Sequence, residues 1–108
     1  MNSLKKNGQG VLLIAEIGGN HEGDFGYAKK LTQLAIDSGV DVIKFQIYQG
    51  DNLVSSVTSP DRNAHFKRFE LKQDEHLELA DMVRSAGISY NASVWDIQSL
   101  HWIEPYLD

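Results

Sequence analysis

A chain of 108 residues, 42% apolar and 23% charged, can build one small domain with a real core but not two. Its formal charge of -5 and lack of any Lys/Arg run argue against a nucleic-acid or membrane surface, so any anion site must be local. Cysteine is absent, excluding disulfides and thiolate chemistry, and the apolar run VLLIA stops at Glu16, too short for a signal core or membrane span; a cytoplasmic protein is expected.

Residues 1–10, MNSLKKNGQG, are polar and glycine-containing and read as a flexible N-terminus. VLLIAEI, residues 11–17, is a short apolar run closed by Gly18-Gly19, the pattern of a fully buried strand. The loop GGNHEG follows. Asp24 then caps a helix whose positions Tyr27, Ala28, Leu31, Leu34 and Ala35 recur at helical spacing until Gly39 stops it. DVIKFQIY, residues 41–48, is the second strand. The polar segment GDNLVSSVTSPDRNAHFKRF has weak periodicity and reads as a long loop with one short helix near Ala64 to Phe69; a loop this long is usually functional. A second long helix runs from Gln73 to Ala86, with Leu77, Ala80 and Val83 on one face and Gly87 at its end. ISYNASV is the third strand, and Asp96 caps a last helix through Gln98, Leu100 and Ile103 that Pro105 stops.

The order β-α-β-α-β-α predicts parallel strands joined by right-handed crossovers. A doubly wound open sheet and a TIM (β/α)₈ barrel share that order. A complete barrel needs about 250 residues, so residues 11–108 would supply about three βα units of a partial TIM-barrel domain. The chain stops after EPYLD, where another strand is due, which suggests a fragment.

Both architectures place ligands at the carboxyl ends of their strands. Side chains alternate along a strand, so Val42, Lys44 and Gln46 face one way and Ile43, Phe45 and Ile47 the other. By the same count Leu12, Ile14 and Glu16 share a face, as do Asn91 and Ser93. Three strands thus each deliver a polar group to one rim. Each residue also has a plainer explanation. Lys44 can snorkel from an edge, Glu16 can simply pair with it, and Gln46 and Ser93 are common strand-end residues. GGNHEG resembles a phosphate-cradling loop but lacks the GK[ST] ending, and Glu22 and Asp24 would repel an anion. His21 offers an acid, a base or a ligand. The four histidines show no paired ligand spacing, so no metal site is expected, and His65, His76 and His101 read as surface residues. Trp95 and Trp102 read as packing. The sequon Asn91-Ala92-Ser93 lies in a predicted buried strand and is taken as chance.

IAEIGGNHEGD, AKKL, SGVDVIKFQIY and LVS together resemble the start of the N-acetylneuraminate (sialic acid) synthase family, which includes legionaminic and pseudaminic acid synthases. FELKQDEHLELADMVRSAGISYNAS resembles the stretch that follows there. The resemblance runs from Val11 onward and covers about the first third of a typical member. It implies the N-terminal part of a TIM barrel, often followed by an antifreeze-like domain. It also implies condensation of phosphoenolpyruvate with an N-acyl hexose such as N-acetylmannosamine, with release of phosphate. By position, Lys44 matches the lysine that holds phosphoenolpyruvate, Glu16 the first-strand glutamate assisting the chemistry, and Gln46 the glutamine near the sugar. Ser93 matches a hydroxyl contact to phosphoenolpyruvate, and Asn63 a substrate-contacting asparagine. The family uses a divalent metal, manganese or magnesium, whose histidine ligands lie beyond Asp108; a homodimer is implied for the full-length enzyme. Ala92-Ser93-Val94-Trp95-Asp96 departs from the usual S-T-P-F-[SD], which bears on sugar preference. Two alternatives stay open: a noncatalytic barrel fragment that self-associates or binds a partner, and a doubly wound domain using GGNHEG.

Overall fold

Capping residues and glycines set the element boundaries. In a computed structural model that describes residues 10–108, the Asp24 carboxylate accepts from the Tyr27 N–H at 3.0 Å and opens α1 (Phe25–Asp37). Asp96 does the same for α5 (Ile97–Ile103), accepting from the Ser99 N–H at 2.7 Å. Glu75 reaches back to the Lys72 N–H at 2.8 Å, half of a capping box, at the start of α4 (Gln73–Ser85). The expectation for residues 1–9 lies outside the described residues.

Three strands, β1 (Ile14–Gly18), β2 (Val42–Ile47) and β3 (Ser89–Val94), form a parallel sheet in sequential order β1-β2-β3. The segment between β2 and α4 departs from the sequence expectation of a loop with one short helix. It holds α2 (Gly50–Leu53) and a full α3 (Pro60–Phe69). Pro60 at the first helical turn, Asp61 beside it, and Lys67 and Arg68 in the last turn fit the helix dipole, which offsets the weak apolar periodicity.

The helices α1, α4 and α5 all cover one face of the sheet. Ile43, Phe45, Ile47 and Tyr90 from the strands join Ala28, Ala35, Leu79, Ala80, Val83 and Ile103 in a single core. Phe45 and Tyr90 stack at 5.4 Å. Fully burying each large side chain contributes about 1.5–3 kcal/mol. A doubly wound sheet reverses its strand order and covers both faces. Here the order runs one way and the opposite face is open, with Ile14 52% exposed. This is the winding of consecutive TIM-barrel units. Among the described residues, no helix is long and apolar enough to cross a membrane.

Candidate functional site

The parallel register lines up the open face in rows. Glu16 pairs with Lys44 and Lys44 with Asn91, and one step nearer the carboxyl ends Gln46 pairs with Ser93. The rows lie about 6.6 Å apart. Ile43 and Phe45, the apolar neighbours of Lys44, point into the core, so the ammonium is not buried. Its side chain is 38% exposed, and Nζ stands 3.9 Å from Glu16 Oε2. An ion pair this open and long contributes about 0–1 kcal/mol, so it gives way readily to an incoming anion. The structure therefore brings Glu16, Lys44, Gln46 and Ser93 together as the alternation predicts.

Gly18 makes the row possible. The β1–β2 register shifts between Glu16 and Gly18, and Gly18 adopts φ +54, a left-handed conformation that favours glycine. A Cβ there would meet Glu16 Oε1 at 3.2 Å and the Gln46 amide at 3.7 Å. The two polar ends thus converge over a backbone position that has no side chain.

Several N–H groups of the loop after β1 are already taken within the loop. The N–H groups of Asn20, Glu22 and Asp24 donate to Ile17, Gly19 and His21 carbonyls, and the Gly23 N–H donates to His21 Nδ1 at 3.0 Å. The His21 ring is buried, which lowers its pKa, with Glu75 opposing. His76 corrects the expectation of a surface residue. It shares the i, i+3, i+4, i+7 stripe of α4 with Leu79, Ala80 and Val83, and is 2% exposed. Burial, with His21 nearby, lowers its pKa to about 4. His65 and His101 are exposed as expected.

Asn63 stands apart from the rim row. It is buried, and its amide donates to Val54 O at 2.7 Å, Asp51 Oδ1 at 3.0 Å and Gly50 O at 3.4 Å. In this arrangement it ties α3 to α2. Gly50 lets the two approach, since a Cβ there would lie 2.6 Å from the Lys67 backbone nitrogen.

A pocket of about 310 Å³ opens beside Gln46, between β2, α2, α3 and Trp95. Leu53 and Val54 form one wall, Tyr48 and Phe66 meet edge to face at 5.6 Å, and Arg62 adds a cation. Trp95 corrects the expectation of packing: it is 56% exposed and lines this space. Sequence reasoning missed Tyr48, Arg62, Phe66 and Trp95 as a group. The signal was present in α3, where Arg62 and Phe66 lie four apart on one face once the helix begins at Pro60. Among the described residues, no group of three or more His, Asp or Glu could hold a metal ion.

The NeuB family matches residues 31–107 of this sequence. An N,N'-diacetyllegionaminic acid synthase of Legionella pneumophila is 31% identical over 117 residues, covering 95% of this chain and 33% of the relative. The enzyme of the same name from Campylobacter jejuni is 33% identical, covering 83% and 30%. Among solved structures, the N-acetylneuraminic acid (sialic acid) synthetase of Leptospira borgpetersenii, in complex with citrate, superposes with a TM-score of 0.81 at 26% identity, covering 91% and 34%. The chain thus spans about a third of the length of the curated relatives it matches.

Proposed function

This chain belongs to the NeuB family, and on that premise we propose that it supplies the enolpyruvate-binding rim of a synthase making a nonulosonic acid. The reaction joins the enol carbon of phosphoenolpyruvate to the aldehyde carbon of an N-acyl hexose, N-acetylmannosamine or a related sugar, whose oxygen takes up a proton; one water is consumed as phosphate leaves and the 2-keto acid forms. The register rows that set Glu16, Lys44, Gln46 and Ser93 on one open face carry this reading. Lys44 supplies a point charge for the phosphate or carboxylate, and the Ser93 hydroxyl a hydrogen bond to the same substrate. Glu16, 3.9 Å from Lys44, is free to accept a proton or hold the sugar once the anion takes over the ammonium. Gln46 faces the sugar. Asn63 acts through the α2–α3 segment that it holds, with substrate on the far side of that wall.

The resemblance to the family also implies a divalent metal, manganese or magnesium. The described residues do not fit one, because no three carboxylates or imidazoles converge. We place its ligands outside this chain and assign no step to it. A cytoplasmic setting suits phosphoenolpyruvate as substrate.

The test is phosphate release from phosphoenolpyruvate by the intact native polypeptide. Release that requires an N-acyl hexose supports the condensation, and release independent of any sugar, or none, removes it. A second reading has one observation in its favour. Val11, Leu13 and Ile14 at the β1 edge, and Trp95, Ile97 and Leu100 beyond β3, are exposed apolar residues suited to association. A concentration-dependent mass with no phosphate release would favour it.

A further inference from the structure

We propose that the cavity between the start of α4 and α5, on the helix-covered side of β2, binds a zwitterionic α-amino acid with a polar, uncharged side chain. The site is separate from the rim row. Ile47 enters it from the core face of β2, whereas Lys44 and Gln46 lie on the opposite face. The proposal therefore does not rest on the condensing activity. The cavity measures about 260 Å³, below the usual range for drug-sized ligands, and suits a molecule of roughly ten heavy atoms.

Two features of the lining point to this ligand. The first is His76, which lines the cavity, is only 2% exposed, and has no hydrogen bond to either ring nitrogen among the described residues. Burial keeps the ring neutral at neutral pH, so one nitrogen offers an N–H and the other a lone pair. A buried polar group without a partner is costly. A carboxamide, which both donates and accepts, satisfies whichever nitrogen faces it. The second feature is Glu70 with Lys72. One carboxylate and one ammonium share the cavity wall, and neither is in an ion pair among the described residues. Glu70 accepts from the Gly50 N–H through Oε1 at 3.2 Å, which leaves Oε2 for a cation.

Fixed charges of both signs select a ligand that carries both. Its ammonium pairs with Glu70 and its carboxylate with Lys72, while Ile47, Leu71 and Trp102 cover an alkyl stem on the way to His76. A phosphate dianion would meet a single cation, with Glu70 in the wall and Asp74 and Glu75 in the first turn of α4 repelling it. A wholly apolar ligand would leave His76 unpaired.

The experiment is calorimetric titration of the intact native polypeptide with L-glutamine, glutaramic acid (no ammonium), 4-aminobutanamide (no carboxylate), L-methionine and glycerol. L-Glutamine should bind once per chain, with each close analogue at least about tenfold weaker. Glu70→Gln keeps the acceptor for Gly50 and should erase the preference over glutaramic acid; Lys72→Met should erase the preference over 4-aminobutanamide. A purely structural role for these two side chains would not remove one preference and spare the other. His76→Leu should bring L-methionine level with L-glutamine. L-Glutamine binding no better than glycerol, or both preferences intact in the charge variants, overturns the assignment. Displacement of L-glutamine by phosphoenolpyruvate also overturns it, because that would place the amino acid at the rim.

Discussion

Replacing Asn63 by aspartate keeps the shape of the side chain and turns its donating end into an acceptor. The wild-type amide faces three acceptors, Val54 O at 2.7 Å, Asp51 Oδ1 at 3.0 Å and Gly50 O at 3.4 Å, from a position only 6% exposed. Asn63→Ala would lose all three bonds, of which those to the Val54 and Gly50 carbonyls contribute about 1–2 kcal/mol together. Asn63→Asp would go further, leaving an unpaired carboxylate against two carbonyls, at a cost of about 3 kcal/mol or more. It would also remove the main cause that holds the Asp51 carboxyl below its usual pKa and set a second carboxylate beside it, which raises that pKa against the remaining pull of Lys67. The assay is hydrogen exchange across residues 50–63 of the intact polypeptide without substrate. Protection should fall about tenfold in Asn63→Ala and about a hundredfold in Asn63→Asp. Wild-type protection in Asn63→Asp, or a larger loss in Asn63→Ala, would refute the fastening role and return Asn63 to direct substrate contact.

Three further outcomes follow from the same geometry. Because burial lowers the His76 pKa from 6.5 to about 4, the unfolded chain takes up the proton first as pH falls. Stability is therefore full above pH 6.5 and declines towards pH 4 by at most about 3 kcal/mol, in the same direction as the smaller His21 effect; urea midpoints across that range should fall less in His76→Gln, and an unchanged slope would contradict this. Gly18→Ala should cost about 1–2 kcal/mol of strain at φ +54 and push Glu16 and Gln46 apart, so kcat/KM should drop more than stability does; wild-type activity would show that the bulge does not shape the site. Among the described residues the fully buried Tyr90 hydroxyl has no hydrogen-bond partner, so Tyr90→Phe should unfold within about 0.5 kcal/mol of wild type or above it, and a clear loss would reveal a partner.

The strands and the two long helices were legible because their signals are local. Alternation at Val42 to Ile47 separated a core face from an open one, and Asp24, Asp96, Gly39 and Gly87 marked helix ends that the structure keeps. The choice of a barrel over an open sheet came from the family resemblance and not from any one element, because strand order and the side on which helices pack are not encoded locally. The rim residues followed from period-two counting plus register, and parallel pairing then fixed Glu16 beside Lys44. In residues 50–69 the short helix expected near Ala64 to Phe69 was the end of α3, while α2 and the start of α3 stayed hidden because α3 is polar and held to α2 by Asn63 rather than by an apolar stripe. His76 misled for the opposite reason. A titratable residue in a polar-looking helical turn proved to begin the buried face, which Leu79, Ala80 and Val83 made visible only once the neighbouring helices were placed.

The rim is tested most directly by the dissociation constant of phosphoenolpyruvate for the intact polypeptide with Lys44 and with Lys44→Met. Removing the ammonium, which now stands 3.9 Å from Glu16, should weaken binding about ten- to a hundredfold, the range of a charge-assisted contact to an anion. An unchanged dissociation constant would mean that Lys44 is only a solvated strand residue and that the anion, if it binds, binds elsewhere.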